Sequence, residues 1–304
     1  MAGKEKIIIV GGPTASGKSD LALSIAHRIN GEIISADSMQ IYRDMNVGTA
    51  KVTVSEMDGI PHHMIDVAEP TANFSVSEYV DMTRPIIDSI AQRGSVPVIV
   101  GGTGLYIDAL MYDYAFNNAN VDEAYRAELN TLAHEKGNEY VHDMLRSVDP
   151  NEAENIHPNN LKRVIRALEI CRAGGIKSEN KRTLRYDTLM FVIDPDREIL
   201  YNRINARVES MLNSGLEDEI RRLLDRGVTF DMQSMQAIGY KEWRGYLDGI
   251  DSLEDVISAI QKNSRNYAKR QLTWFRNKYR EIAHLIPSND ESLTTQYVNN
   301  FLDI

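Results

Sequence analysis

Cysteine is all but missing from this chain: Cys171 stands alone among 304 residues, which excludes an internal disulfide and any cysteine-rich zinc module. No apolar run approaches membrane-spanning length, and Met1, Ala2, Gly3, Lys4, Glu5 and Lys6 carry charge without the long apolar core of a signal peptide. The expected compartment is the cytoplasm, with no membrane partner. Repeats, low-complexity tracts and flexible linkers are also absent, and the histidines are scattered without metal-type spacing. Basic residues are outnumbered, 34 Lys and Arg against 44 Asp and Glu, for a net charge of -10. Taken globally, that balance speaks against a phosphate-rich partner.

The basic residues are segregated, however. From Gln261 to Arg280 there are Lys262, Arg265, Lys269, Arg270, Arg276, Lys278 and Arg280 with no acid, and a second basic stretch spans 162–185. At 3.6 residues per turn, Lys262, Arg265, Lys269, Arg276 and Arg280 fall within a helical stripe about 60° wide. Ala268, Leu272, Phe275 and Tyr279 form the neighbouring apolar stripe, which would pack on the rest of the protein. Single-sign charge interleaved with Tyr267 and Trp274 favours phosphate-backbone contact over plain solvation, with Lys269 and Arg276 as candidate contacts.

The most specific local signal is Gly12, Pro13, Thr14, Ala15, Ser16, Gly17, Lys18 and Ser19, a complete GxxxxGK[ST] loop. It follows the apolar run Ile7, Ile8, Ile9, Val10 and precedes an amphipathic helix carrying Leu21, Leu23, Ile25, Ala26 and Ile29. In that setting backbone N–H groups converge on a polyphosphate at a helix N-terminus, Lys18 adds a point charge, and the Ser19 hydroxyl is a natural Mg²⁺ ligand.

Along the first hundred residues strand and helix patterns alternate: strands at 7–10, 32–35, 64–67 and 96–100, and a helix over 76–93. That rhythm predicts an α/β fold, a P-loop NTPase-like parallel sheet with helices on both faces. Between 117 and 186 only helix patterns occur, at 123–135, 140–147 and 161–173, the last ending at a Gly174-Gly175 cap. A strand returns at 189–193, followed by a long helix through 212; the last dozen residues look weakly specified. The expected organisation is a core of 1–116 and 187–304 interrupted by an all-helical insertion at 117–186.

Ligands of open parallel sheets bind beyond the carboxyl ends of the strands, so the segments after each strand are the site candidates. Asp37 is the best candidate for a general base, weighed against an N-cap role. Gly101 and Gly102 would allow close backbone approach to a ligand, and Thr103 offers a hydroxyl to phosphate. The strand at 96–100 ends without the Asp of a motor-type NTPase, so steady ATP hydrolysis is not the expected activity. Arg203 and Arg207, one helical turn apart, are candidates to neutralise a departing phosphate group.

Together these segments resemble the tRNA dimethylallyltransferase (isopentenyltransferase) family of bacterial type, over nearly the whole chain. The residues that carry the resemblance are the phosphate loop, Asp37-Ser38-Met39-Gln40-Ile41-Tyr42, Gly48-Thr49-Ala50-Lys51, Pro61-His62-His63, Gly101-Gly102-Thr103-Gly104-Leu105-Tyr106 and His157-Pro158-Asn159. Further on come Arg166-Ala167-Leu168-Glu169, Gln236-Ala237-Ile238-Gly239-Tyr240 and the run from Tyr267 to Arg276. The loop alone is widespread; its combination with Asp-Ser-x-Gln and Lys-Arg-Gln-x-Thr-Trp is highly specific. Val52 replaces a usual proline, and 175–179 departs from the pattern.

The resemblance implies transfer of a dimethylallyl group from dimethylallyl diphosphate to the exocyclic amine of an adenosine just 3′ of the anticodon, with the loop gripping diphosphate. The family's general base matches Asp37 and its clamping arginine matches Arg207, while Thr103 is shared between substrate and phosphate. Contacts to the tRNA anticodon stem-loop would fall on Asp37, Ser38, Met39, Gln40, Arg126, Lys162, Arg163, Arg166, Gln236, Gly239, Tyr240 and Lys241. The expected state is a monomer. Competing readings are a small-molecule P-loop kinase and an adenylate isopentenyltransferase acting on free nucleotides. The kinase would have no use for the terminal basic stripe or for the basic insertion, and the long insertion and Lys-Arg-Gln-x-Thr-Trp speak against the second. A non-enzymatic RNA-binding protein would leave Lys18, Asp37 and Arg207 unexplained.

Overall fold

Ile7, Ile8, Ile9 and Val10 are fully buried in β1 (Lys6–Gly11), and a strand buried on both sides requires cover on both faces. The computed structural model describes residues 4–112, 122–173, 183–287 and 291–304. After β1 come α1 (Lys18–Ile29), β2 (Gly31–Ser35), β3 (His62–His63), α2 (Val76–Gln92), β4 (Val96–Gly101) and α3 (Gly104–Met111). Four helices follow: α4 (Glu123–Lys136), α5 (Asn138–Val148), α6 (Pro150–Asn155) and α7 (Leu161–Arg172). The chain then forms β5 (Asp187–Ile193), α8 (Arg197–Asn213), α9 (Leu216–Asp225), α10 (Arg244–Leu247), α11 (Leu253–Lys278), β6 (Ala283–Ile286) and α12 (Glu291–Leu302).

All six strands are parallel, in the order β3-β2-β4-β1-β5-β6. The register sets Gly11 opposite Gly101 and Val192, and Ser35 opposite Val100, so the loops leaving β1, β2 and β4 start at one level. One face, carrying Ile8, Val10, Ile33, Val98 and Phe191, packs against Leu21 and Ile25 of α1 and Val298 of α12. Ile7 and Ile9 point the other way, toward the side on which α2 and α3 pack on β4.

The chain divides into two compact units, Met1–Met111 with Leu184–Ile304, and Tyr112–Thr183. In the second unit Leu129, Val141, Leu145, Val164 and Leu168 form a core of their own. There Glu169, nearly inaccessible, receives Arg126 Nε at 2.7 Å and Arg166 Nη1 at 3.1 Å. Burial raises the pKa of Glu169, but hydrogen bonds from Arg126 and Arg166 outweigh it and hold the carboxyl below its ordinary value. His142 is likewise absorbed, its Nε2–H donating to the carbonyls of Ala153 and Ile156 at 3.0 and 2.8 Å.

Two sequence expectations need correction. No strand forms at 64–67, where Met64 and Asp66 take left-handed φ values of 61° and 55°; the strand is the preceding pair His62–His63, with His63 Nε2 2.7 Å from the Glu32 carboxylate. The last dozen residues are not loosely specified either: α12 buries Val298 beside Tyr297, Phe301 and Leu302 on the sheet core. Burying such an aliphatic side chain contributes about 1.5–3 kcal/mol. The Gly174-Gly175 cap, the boundary at 117 and the divergent segment 175–179 lie outside the described residues.

Candidate active site

The loop after β1 turns through left-handed backbone at Ala15 (φ 60°) and Gly17 (φ 88°), and Gly17 caps α1 with no side-chain hydrogen bond. The first N–H groups of α1 are thus left for an anion. Lys18 Nζ donates to Pro13 O at 3.2 Å, which folds its ammonium back over the loop. Thr14, Lys18 and Ser19 open onto a cavity of about 370 Å³ whose wall also includes Asp37, Ser38, Met39, Gln40, Arg207, Gln236, Gly239 and Lys241. The fold brings together in this cavity residues more than two hundred positions apart.

Asp37 follows β2 and closes a tight turn: its Oδ1 accepts Met39 N at 2.9 Å and Gln40 N at 3.4 Å. Asp37 therefore caps its own turn and also lines the cavity. Opposite lies Arg207 of α8, half-buried, donating from Nη2 to Thr49 O at 3.2 Å. Burial pushes Lys18 down to about 8, with repulsion from Arg207 adding to it and attraction to Asp37 opposing it. Burial also lowers Arg207, again opposed by Asp37. Two crowded cations facing one carboxylate leave the cavity with unmatched positive charge, an environment suited to a polyanion.

Several expected residues do other work. Thr103 is not part of the cavity wall; its Oγ1 accepts Ser38 N at 3.0 Å and donates to Ser38 Oγ at 3.3 Å, holding the Asp37 turn. Arg203 is exposed and away from the wall. Tyr240 is fully buried and donates to the Glu219 carboxylate at 2.6 Å, so its side chain is structural rather than presented to a ligand. Gly101 and Gly102 are small because of the protein itself: a Cβ on Gly101 would overlap the Ala36 carbonyl, and one on Gly102 would overlap the Gln271 amide.

Gln271 was not singled out from the sequence. It bridges the phosphate loop and the turn after β4, accepting Thr14 N at 2.9 Å and donating to Gly102 O at 2.9 Å. The signal was available: Gln271 is a lone amide on the buried face of α11, between Ala268 and Phe275. Tyr267 also lines the cavity, its hydroxyl pushed up to about 12 by burial and by the Asp37 charge.

On α11 the basic stripe is less uniform in space than in sequence. Arg276 makes a bidentate pair with Asp194, at 2.6 and 2.9 Å, and Arg265 donates to Asn205 at 2.7 Å. Lys262 and Lys269 are exposed, and Arg280 lies beyond the helix end. In the second unit Lys162 and Arg163 are exposed on α7, whereas Arg126 and Arg166 are committed to Glu169.

A second cavity, about 460 Å³, shares Ser19, Gln40, Ala50, Val100, Arg207 and Met211 with the first. Its remaining wall includes the apolar Leu23, Ile33, Val47, Val52 and Ile65. The cavity holding Lys18 thus adjoins a recess with an apolar wall among polar residues such as Asp20, Lys51 and Glu56.

Residues 40–278 match the family model described as IPP transferase. A tRNA dimethylallyltransferase of Bacillus cytotoxicus is 52% identical over 280 residues, covering 90% of this chain and 88% of that protein. Its counterpart in Geobacillus thermodenitrificans is 50% identical over 279 residues, with the same coverage of 90% and 88%. Among solved structures, the full-length tRNA isopentenylpyrophosphate transferase of Bacillus halodurans superposes with a TM-score of 0.74 at 45% identity, covering 99% of this chain and 96% of that one. A eukaryotic dimethylallyltransferase acting on tRNA gives a TM-score of 0.84 at 29% identity, over 98% of this chain and 80% of that one. With sequence and fold in agreement over nearly all of its length, the chain belongs to the IPP transferase family.

Proposed function

We propose that this protein transfers a dimethylallyl group from dimethylallyl diphosphate to the N6 amine of the adenosine 3′-adjacent to the anticodon in tRNA, releasing diphosphate. The observation that carries this reading is the single cavity in which Lys18 and Arg207 face Asp37. The donor has an anionic head and a short apolar tail, and it fits a phosphate loop adjoining an apolar recess. As the bond from the allylic carbon to diphosphate oxygen breaks, the carbon–N6 bond forms and N6 gives a proton to Asp37. Lys18 and Arg207 hold the charge that develops on the leaving group, worth about 3–4 kcal/mol per key donor. Asp37 as base supplies about 10²–10⁴-fold.

The target adenosine must leave the stack of the anticodon loop to reach the cavity, which costs a few kcal/mol. Ser38, Met39, Gln40, Gln236, Gly239 and Lys241 line the cavity and are the proposed contacts to it, and exposed Lys162, Arg163 and Lys269 are the proposed phosphate contacts. Ser19 is exposed and borders both cavities; among the described residues no group of three or more His, Cys, Asp or Glu could hold a metal. A lone hydroxyl beside a diphosphate fits Mg²⁺ that keeps most of its waters, and Ser19 would hold it. When bound, the ion supplies further neutralisation of the leaving group. The proposed enzyme acts as a monomer in the cytoplasm, where its tRNA substrate is found. No helix among the described residues is long and apolar enough to cross a membrane.

The test offers dimethylallyl diphosphate with unmodified tRNA, with AMP and with ATP, and identifies the alkylated product by mass. Alkylation of tRNA at one adenosine is expected, and Asp37→Ala should lose about 10²–10⁴-fold in turnover while still binding tRNA. Alkylation of the free nucleotides alone would overturn the reading.

A further inference from the structure

Glu219 lies in α9, outside both cavities, and is 3% exposed. Its Oε2 accepts Asn46 N and Val47 N, each at 2.8 Å, and its Oε1 accepts Gly48 N at 3.1 Å and Tyr240 Oη–H at 2.6 Å. Each carboxylate oxygen thus accepts two donors. Three consecutive backbone N–H groups therefore wrap around an anion that the protein itself supplies. Tyr240 completes the arrangement from the side: its ring lies where a Cβ on residue 48 would go, so Gly48 is required. Burial, then the Glu219 charge, raises the Tyr240 hydroxyl well above its ordinary value and keeps it a donor.

The far side of the same loop faces the chemistry. Thr49 O accepts Arg207 Nη2 at 3.2 Å, the one hydrogen bond to protein that Arg207 makes among the described residues. Gln40 Nε2 reaches Thr49 O and Ala50 O at 3.5 and 3.3 Å, linking the loop to the Asp37 turn. Loop 46–51 is closed by Ala50 N to Val47 O and Lys51 N to Asn46 O, at 3.0 and 2.9 Å, so its carbonyls move only if the whole loop moves.

We propose that Glu219 is a positioning residue for transfer: by gathering the N–H groups of Asn46, Val47 and Gly48 it fixes the Thr49 carbonyl that aims Arg207 at the diphosphate. This rests on the reading of Arg207 as the clamp on the leaving group. The amide of Glu219→Gln keeps the shape but sets an NH₂ against groups that are themselves donors. The loop then shifts, and with it the guanidinium.

The experiment is a double-mutant cycle on the full chain with dimethylallyl diphosphate and tRNA, using Arg207→Ala, Glu219→Gln and both together. Glu219→Gln should lower kcat/KM for dimethylallyl diphosphate by about 10- to 100-fold, and the double variant should be within about threefold of Arg207→Ala alone. The tRNA dissociation constant should stay within about twofold of wild type. Losses that multiply in full, or a loss confined to tRNA affinity, overturn the inference. If Glu219→Gln does not fold, as judged by circular dichroism and its thermal midpoint, Tyr240→Phe decides. It removes one of the four donors and should give a smaller loss in the same parameter, again not additive with Arg207→Ala. Should Arg207→Ala itself cost nothing, the clamp reading fails instead, and the two failures are told apart.

Discussion

Lys18 is the residue on which the environment acts most visibly. An ammonium in water keeps its proton far above neutral pH; burial and the neighbouring Arg207 bring Lys18 down to about 8. Below about 8 Lys18 is charged and, in the proposed scheme, grips diphosphate; above it the charge is lost. In the free enzyme, kcat/KM for dimethylallyl diphosphate should therefore fall as pH rises through about 8, approaching tenfold per pH unit. Bound diphosphate favours the charged form, so the inflection in kcat should lie higher. Lys18→Arg, slower because the geometry differs, should give a flat profile over the same range. A flat wild-type profile from about pH 7 to about pH 9 would refute the assignment of that charge. Arg126 is a poorer subject for mutation: removing it takes from the buried Glu169 one of its two cations, leaving Arg166 alone, and the resulting loss of stability would be mistaken for lost RNA contact. Lys162 and Arg163, exposed on α7, make the cleaner test.

At the level of elements, α11 joins two functions on two faces. Its buried side contributes Ala268, Gln271 and Phe275 and ties the phosphate loop to the turn after β4. Its outer side carries the basic stripe, within which Arg276 is already neutralised by Asp194. Lys269→Ala should reduce the slope of log affinity for tRNA against log salt by about 1. Arg276→Ala should leave the slope nearly unchanged and lower the thermal midpoint, because Asp194 loses its partner. Equal slope changes in a filter-binding series would mean that the Asp194 pair opens on RNA binding. Elements with strong periodicity, such as β1, β4 and α2, were legible from sequence because burial on two faces or one stripe dictates residue type directly. The two-residue β3 was not, since His62–His63 gains its strand pairing only from Ile33 and Ile34. Nor was α12, whose buried face is only Thr294 and Val298, flanked by half-buried Phe301 and diluted by Thr and Asn. Within the site, Asp37, Lys18 and Arg207 were readable because their chemistry is local. Glu219 and Gln271 were not assigned, because the backbone groups they hold lie more than a hundred and fifty positions away, even though a lone amide on the buried face of α11 marked Gln271 as unusual.

For the whole molecule, net charge and function pull in opposite directions. A protein of net charge -10 repels a polyanion at long range, so tRNA affinity must come from local basic surfaces. Those surfaces are divided: Lys262 and Lys269 are carried by the sheet unit, and Lys162 and Arg163 by the helical unit Tyr112–Thr183. Two weak attachments on one chain multiply in affinity, whereas either alone is feeble against that repulsion. The donor site has no such division, since every residue lining it belongs to the sheet unit. Excision is geometrically feasible because Arg185 N donates to Met111 O at 2.8 Å, so the chain leaves and re-enters the sheet unit at adjacent points. Replacing 112–183 by a short Gly/Ser linker should leave the dissociation constant for dimethylallyl diphosphate within about threefold of wild type, since the first-unit core is untouched. Affinity for the anticodon stem-loop should drop by more than about tenfold in the same protein. Titration calorimetry reads the first and filter binding the second. Loss of donor binding from a folded variant would show that the cavity needs the helical unit, and undiminished tRNA affinity would show that the sheet unit alone carries the RNA.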